Sequence, residues 1–258
     1  IDKILSEFNQ NFSSVIGLGG GSSLDEAKFV GNKLKKIKIL IPTTFGSGSE
    51  VTRISVLKID GKKTSFHSDD LLADVSIIDP FFIKDAPPEI IKNSAIDACA
   101  QCTEAYDSKI ANDYTRILCK KAFDILEKAL IDEKYDDLAY GAMISGLGFG
   151  NSSTTLGHAL SYVFSNEGIS HGHALAFTTT VAHKFNNSQF YERFKLLVKK
   201  LHFSPIILHQ DLIDAAKLIQ LDRKHLDYNP KIVSEDDVIK LLNQIRSEER
   251  RVGKECRP

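Results

Sequence analysis

The segment Gly17-Leu18-Gly19-Gly20-Gly21-Ser22-Ser23-Leu24-Asp25-Glu26-Ala27-Lys28 constrains this chain more than any other. It follows a strand-like Ser14-Val15-Ile16 and opens a helix-like run at Leu24. A glycine triplet at a strand-to-helix turn lets backbone N–H groups approach an anion with no Cβ between them. The helix N-terminus adds its unpaired donors and partial positive charge at the same spot. A nucleotide or dinucleotide phosphate is the guest that such a turn suits. The order of the glycines matches neither the G-x-G-x-x-G fingerprint nor the Walker loop. By itself, therefore, the segment is equally well read as a packing turn that binds nothing.

Parallel α/β architecture follows from what surrounds this turn. Short apolar runs, Ile37-Lys38-Ile39-Leu40-Ile41 and Val75-Ser76-Ile77-Ile78, alternate with glycine-rich turns up to Pro87-Pro88. Beyond that point amphipathic helical stretches dominate, near 89–107, 111–130, 134–150, 154–164, 171–185, 188–201, 209–220 and 234–245. Three segments result: a partial nucleotide-binding α/β domain over 1–86, an all-α domain over 87–245, and a tail over 246–258 that loses apolar periodicity and reads as non-native. The chain opens on a helix-like Ile1 to Phe8, where a nucleotide-binding sheet normally supplies earlier βα units, so part of that domain is expected to be missing.

Composition removes several function classes. A formal net charge of −1 over 258 residues gives no electrostatic footprint for nucleic acid, and no apolar run is long enough to span a bilayer. Four cysteines in a chain of this length do not make a secreted disulfide framework, so a reducing, cytoplasmic setting is expected. Cys99 and Cys102 lie in a helical stretch and read as small packing residues rather than a redox pair.

Two further constellations carry chemistry. Pro42-Thr43-Thr44-Phe45-Gly46-Ser47-Gly48-Ser49-Glu50-Val51-Thr52 leaves a strand at its carboxyl end, where parallel sheets bind ligands. Thr43, Thr44 and Ser47 offer hydrogen bonds to a ribose, amide or phosphate there, or cap their own backbone. Asp97 and Gln101 are four apart and share a helix face, while His158 and His171 flank a helix and turn. One carboxylate and two imidazoles suit a divalent metal with open positions; lone histidines also serve as simple hydrogen-bonding groups.

Taken in order, Gly-Gly-Gly-Ser-x-x-Asp-x-Ala-Lys (19–28), Pro-Thr-Thr-x-Gly-Ser-Gly-Ser-Glu-Val-Thr (42–52), Asp79-Pro80, Asp-Ala-x-x-x-x-x-Glu-Ala-Tyr (97–106) and His-Gly-x-Ala (171–174) resemble the iron-containing (group III) alcohol dehydrogenase family. The resemblance covers residues 1 to about 245, including Asn229-Pro230 and the acidic run after Ser234. It implies the dehydroquinate synthase-like fold of that family, an NAD or NADP cofactor, a ferrous or zinc ion, and hydride transfer between nicotinamide and a small aldehyde or alcohol. It also implies a homodimer.

By that resemblance Gly19, Gly20, Gly21 and Ser22 cradle the pyrophosphate, Asp25 lies near the nicotinamide side, and Thr43, Thr44 and Ser47 line the cofactor cleft. The metal ligands fall on Asp97, Gln101, His158 and His171, and Tyr162 or His173 relays a proton. Gln101 departs from the family, which usually has histidine there, and Tyr162 replaces another common histidine. These departures resemble the phosphonoacetaldehyde-reductase-like branch, which implies a phosphonylated aldehyde as substrate. Three alternatives stand beside it. They are a 3-deoxy-octulosonate 8-oxidase-like dehydrogenase, a dehydroquinate synthase-like lyase, and a non-catalytic truncated remnant. The lyase would carry basic residues among the metal-site helices, and residues 94–108 hold no lysine or arginine.

Overall fold

The computed structural model describes residues 11–59 and 62–255; the helix expected over Ile1 to Phe8 lies outside them. Strand β1 (Ser14–Gly19), helix α1 (Gly21–Leu34) and strand β2 (Ile37–Pro42) form a parallel β-α-β unit. A short β5 (Val75–Ser76) adds to the far side of β2, giving the order β1-β2-β5. Leu24, Ala27 and Val30 on α1 are buried, and the first two cluster with Leu40 of β2, so the helix seals one face of the sheet. Ile16 and Leu18 point from β1 to the opposite face and remain exposed.

Between β2 and β5 stand an antiparallel hairpin, β3 (Ile54–Ile59) and β4 (Lys62–His67), which the sequence reading had merged into the parallel layer. The pairing runs from Ile54 with His67 to Ile59 with Lys62, and Asp60 and Gly61 fall between in the sequence. Those two residues lie outside the described set.

A buried cation ties the hairpin and the Pro42–Thr52 segment to α1. Lys28, with no solvent exposure, donates to the carbonyl oxygens of Ser49 at 2.9 Å, Thr52 at 3.3 Å and Ile54, and pairs with Asp25 at 3.2 Å. Asp25 in turn accepts from Ser49 Oγ at 2.6 Å and from the Val56 amide at 3.0 Å. Burial lowers the Lys28 pKa in spite of Asp25 and Glu50. A buried charge held by three carbonyls and a carboxylate costs several kcal/mol to leave unpaired, so this knot fixes the loop after β2.

The helical part of the chain begins at Pro88, where proline at the first helical position loses no hydrogen bond. They are α2 (Pro88–Asp107), α3 (Asp113–Asp132), α4 (Tyr135–Phe149), α5 (Leu156–Asn166), α6 (His171–Asn186), α7 (Tyr191–Lys200), α8 (Leu212–Gln220), α9 (Arg223–Tyr228) and α10 (Glu235–Glu255). An Asn112–Thr115 capping box opens α3. Helices α2, α3 and α4 pack around Cys99, Cys102, Cys119, Phe123 and Leu126, all fully buried. Burial raises the pKa of all three thiols, as befits packing groups. A second core joins α5, α6, α8 and α10. Among the described residues no helix is long and apolar enough to cross a membrane.

Two differences from the sequence reading concern the last third. Helix α9, only six residues long, is too short to show apolar periodicity. Helix α10 runs past residue 245 into the segment read as a tail, whose Glu, Arg and Lys residues are good helix formers.

Candidate metal centre and its surroundings

Asp97 and Gln101 sit one turn apart on α2, and Gln101 Nε2 donates to Asp97 Oδ1 at 3.1 Å. Helix α5 brings His158 from its first turn, and α6 begins at His171. Asp97 Oδ1 lies 3.7 Å from His158 Nε2 and 4.0 Å from His171 Nε2. These separations are too long for hydrogen bonds, yet the three donor atoms fall within 4.8 Å of one another. Convergence without mutual bonding is what ligands around a shared cation show, and carboxylate plus two imidazoles is a borderline donor set suited to iron or zinc. Gln101 Oε1 is buried with no hydrogen-bond partner among the described residues, so an uncommitted oxygen accompanies the cluster. The residues present therefore fit a divalent metal.

Glu104, one further turn along α2, supports the centre from behind. Its carboxylate is buried and accepts from His158 Nδ1 at 2.5 Å, from the amides of Thr155, Gly157 and His158, and from Thr155 Oγ1. It thus caps the N-terminus of α5, which has no cap of its own, and fixes the His158 ring with Nε2 toward Asp97. Burial alone would raise the Glu104 pKa; the His158 imidazole and the amide donors overcome it and hold the carboxyl down at about 2. Burial likewise opposes protonation of His158, but Glu104 and Asp97 carry it up to about 9.

His171 Nδ1 faces Ser161 Oγ at 3.3 Å, which leaves Nε2 for the cluster. Gly172 allows α6 to start where it does: a Cβ there would fall 1.8 Å from the Asn93 carbonyl oxygen of α2. That contact sets the height of His171 against Asp97.

Of the two proton-relay candidates, Tyr162 stacks on His171 with centroids 6.2 Å apart and planes 15° apart. Burial first, then Asp222, Asp97 and Glu104, push its pKa well up, so it is a hydroxyl donor at neutral pH. His173 is not brought to the cluster. Its Nε2 bonds the Ser204 carbonyl at 2.6 Å and its ring meets Phe177 and Phe203. Two residues past His171 is a rotation of about 200° on a helix, which turns it away.

Sequence reasoning missed His225. On α9 it stacks on His158, centroids 6.1 Å and planes 12° apart, and meets Tyr162 edge-on at 5.7 Å. Its Nδ1 is held by both Asp222 oxygens at 2.7 and 2.8 Å. The Asp222-to-His225 spacing signals a capped helix start, but nothing in it signals proximity to His158.

At the other end of the cleft, α1 starts at Gly21 with Gly20 as an uncapped N-cap, so among the described residues its first amides receive no side-chain cap. The loop after β2 runs beside it: Thr43 N donates to Gly19 O at 2.9 Å, and a Cβ on Gly21 would meet Ser47 Cβ at 2.7 Å. Gly19, Gly20, Gly21, Ser22, Thr43, Thr44 and Ser47 are therefore together, and Ser22 is exposed. Gly46 of the same loop abuts Ser94, one turn before Asp97, which joins cradle to metal centre. Asp25 does not face this cleft. The spacing to Lys28 puts it on the inner face of α1, where Ser49, Val56 and Lys28 take its oxygens.

Residues 1–80 match the family model for the iron-containing alcohol dehydrogenase, and residues 91–225 match that for the Fe-containing alcohol dehydrogenase family, C-terminal. The 4-hydroxybutyrate dehydrogenase of Clostridium kluyveri is 32% identical over 67% of this chain and 55% of its own length. Long-chain-alcohol dehydrogenase 1 of Geobacillus thermodenitrificans is 35% identical over 64% of this chain and 49% of its own. The chain thus spans about half the length of the curated relatives it matches. Among solved structures, the iron-containing alcohol dehydrogenase of Thermococcus thioreducens superposes with a TM-score of 0.87 at 22% identity, covering 95% of this chain and 81% of that one. A sulfoacetaldehyde reductase from Bifidobacterium kashiwanohense in complex with NAD+ gives 0.86 at 23% identity, covering 95% and 80%.

Proposed function

Because this chain belongs to the iron-containing alcohol dehydrogenase family, we propose that its site serves hydride transfer between NAD(P)H and the carbonyl carbon of a small aldehyde. The observation that carries the reading is the convergence of Asp97, His158 and His171, with the unpartnered Gln101 oxygen beside them.

Asp97, His158, His171 and Gln101 would hold a ferrous or zinc ion, which when bound supplies Lewis-acid polarisation of a carbonyl oxygen. The nicotinamide cofactor supplies the hydride. The remaining work belongs to the chain. Glu104 holds the proton on His158 Nδ1 and so turns Nε2 to the site, where that nitrogen would bind the ion once its own proton has left to solvent. The uncapped start of α1 would receive the pyrophosphate, and Thr43, Thr44 and Ser47 would line the cofactor cleft beside it. Tyr162, fully protonated at neutral pH and lying against His171, donates a hydrogen bond to the alcohol oxygen that forms. His173 anchors the turn at Ser204 instead.

For the substrate, the reading keeps a phosphonylated aldehyde, in line with the Gln101 and Tyr162 departures; a cytoplasmic homodimer is proposed for the whole protein. The family match favours neither the lyase nor the sugar-acid oxidase. Metal analysis of the purified chain, paired with NADH and NADPH oxidation against an aldehyde panel, tests it. Turnover that requires metal and is lost in Asp97→Ala supports the proposal; undiminished turnover in metal-free protein overturns it.

A further inference from the structure

Four side-chain rings beside the metal centre close a circuit of contacts. His158 meets His171 edge-on, with centroids 5.4 Å apart and planes at 71°, and His171 lies nearly parallel to Tyr162 at 6.2 Å and 15°. Tyr162 meets His225 edge-on at 5.7 Å and 63°, and His225 returns to His158 at 6.1 Å and 12°. All four separations fall in the range where rings attract in offset or edge-to-face arrangements. Two nearly parallel pairs are thus set across one another, and no ring of the four can turn without displacing a neighbour.

Two of these rings belong to the converging donor set, and they are not held equally. His158 Nδ1 is fixed at 2.5 Å by the buried Glu104 carboxylate. His171 stands at the first residue of α6 with its side chain 32% exposed, and its Nδ1 lies 3.3 Å from Ser161 Oγ. Ser161 gives its own proton to the His158 carbonyl at 2.7 Å, so toward His171 it can only accept. A hydrogen bond that long sets the tilt of the His171 ring weakly, and the near-parallel Tyr162 ring supplies a second constraint on its plane.

His225 closes the circuit from outside the donor set. Asp222 holds its Nδ1 with both oxygens at 2.7 and 2.8 Å and accepts from its amide at 3.4 Å, so one carboxylate fixes the ring and starts α9. The residue is buried, and α9 packs on α5, which carries both His158 and Tyr162. The donor atoms that converge within 4.8 Å come from Asp97, His158 and His171, without His225. Among the described ring contacts, His225 touches His158 directly and reaches His171 through Tyr162.

We propose that His225 is a positioning residue for the metal ligands: gripped by Asp222, it holds the plane of His158 directly and that of His171 by way of Tyr162. An imidazole nitrogen offers its lone pair in the plane of the ring, so fixing the two planes fixes the directions from which a cation can be bound. Ligands locked before the ion arrives lose less freedom on binding it, and the saving is read as affinity. This deepens the metal-centre reading and rests on it for the identity of the guest, while the ring circuit itself can be tested in metal-free chain.

The test compares the parent chain with His225→Ala, His225→Phe and Leu226→Ala. Leu226 is buried in the second core beside His225, so its truncation loosens α9 without removing a ring. In metal-free chain, the His171 imidazole signals followed by NMR should move in His225→Ala and stay near their parental positions in His225→Phe. Cobalt(II) then serves as the metal probe, its affinity read by chelator competition and its ligand geometry by visible absorption. His225→Ala should bind cobalt about tenfold more weakly with an altered spectrum, and His225→Phe, which keeps a ring in place, should recover most of that loss. Leu226→Ala should be less stable in urea yet give the parental spectrum. Should His225→Ala fail to fold, Asp222→Ser retains a helix cap while releasing the ring, and it should alter the spectrum in the same direction. Parental His171 signals and cobalt affinity in a folded His225→Ala or Asp222→Ser chain overturn the proposal, as does an equal spectral change in Leu226→Ala. His171 signals that depend on His225 in a chain that takes up no cobalt would instead overturn only the reading of the metal centre.

Discussion

Glu104 Oε2 and His158 Nδ1 meet at 2.5 Å in a fully enclosed site, and this one contact joins helix capping to ligand orientation. The same carboxylate satisfies the first amides of α5, so fold and site share a single anion. Glu104→Gln places an NH2 group among donors that need an acceptor. Metal affinity, read by chelator competition, should fall about 10–100-fold. Denaturant unfolding should show a loss of about 2–4 kcal/mol, because several buried donors lose their partner. A Glu104→Gln chain as stable as its parent would mean that the capping role is wrong.

Gln101 offers the sharpest test of the cluster. Its Nε2 is committed to Asp97 while its Oε1 is uncommitted and buried. Asp97→Ala removes the only carboxylate of the converging set and should abolish metal uptake. Gln101→Ala should retain metal at reduced affinity, and Gln101→His should tighten it, since imidazole is the better ligand for iron or zinc. Identical metal content by elemental analysis in all three variants and the parent would remove the metal centre altogether.

How much of this was legible in the sequence depends on how local each signal is. Asp97, Gln101 and Glu104 follow one face of α2 at spacings of four and three, and the glycine turn announces the start of α1, so both ends of the cleft could be read from local pattern. The role of Glu104 could not, because its partners lie some fifty residues away on α5. A motif gives no account of which face of α1 Asp25 occupies, because its pairing with Lys28 depends on how the loop after β2 packs. His225 stayed invisible because a six-residue helix carries no periodicity, and its stacking on His158 is a product of tertiary packing. The β3–β4 hairpin was obscured by lysines at Lys58, Lys62 and Lys63, which dilute the apolar alternation.

Asp107 makes stability depend on pH. Burial raises its pKa to about 6, against the help of a hydrogen bond with Ser188, and its Oδ2 has no hydrogen-bond partner among the described residues. The unfolded chain releases this proton first, so stability falls as pH rises from the ordinary aspartate value through about 6, then levels off. Asp107→Asn carries no such penalty. Its stability relative to the parent should grow by about 1 kcal/mol between roughly pH 5 and 7. Urea unfolding of both chains across that range checks it, and parallel curves would refute the shift.

Gly20→Asp separates nucleotide binding from folding. Gly20 is the N-cap of α1 with φ of −77° and extended ψ, a conformation open to any residue, and among the described residues a Cβ there meets Thr44 alone, its Oγ1 at 3.3 Å and its Cγ2 at 3.7 Å. Gly21 is different, since a Cβ on it would fall 2.7 Å from Ser47 Cβ, so Gly21→Ala should disturb the loop itself. Aspartate is a favoured N-cap, and its carboxylate would accept from the first amides of α1 and complement the helix dipole, which adds about 0.5–1 kcal/mol. Those are the donors proposed for the pyrophosphate, and the new negative charge would occupy their place. The melting temperature of Gly20→Asp should therefore equal or exceed that of the parent, while NADH and NADPH affinity by fluorescence titration drops at least tenfold. Retained cofactor affinity in a folded Gly20→Asp chain would show that the glycine turn is a packing device and nothing more.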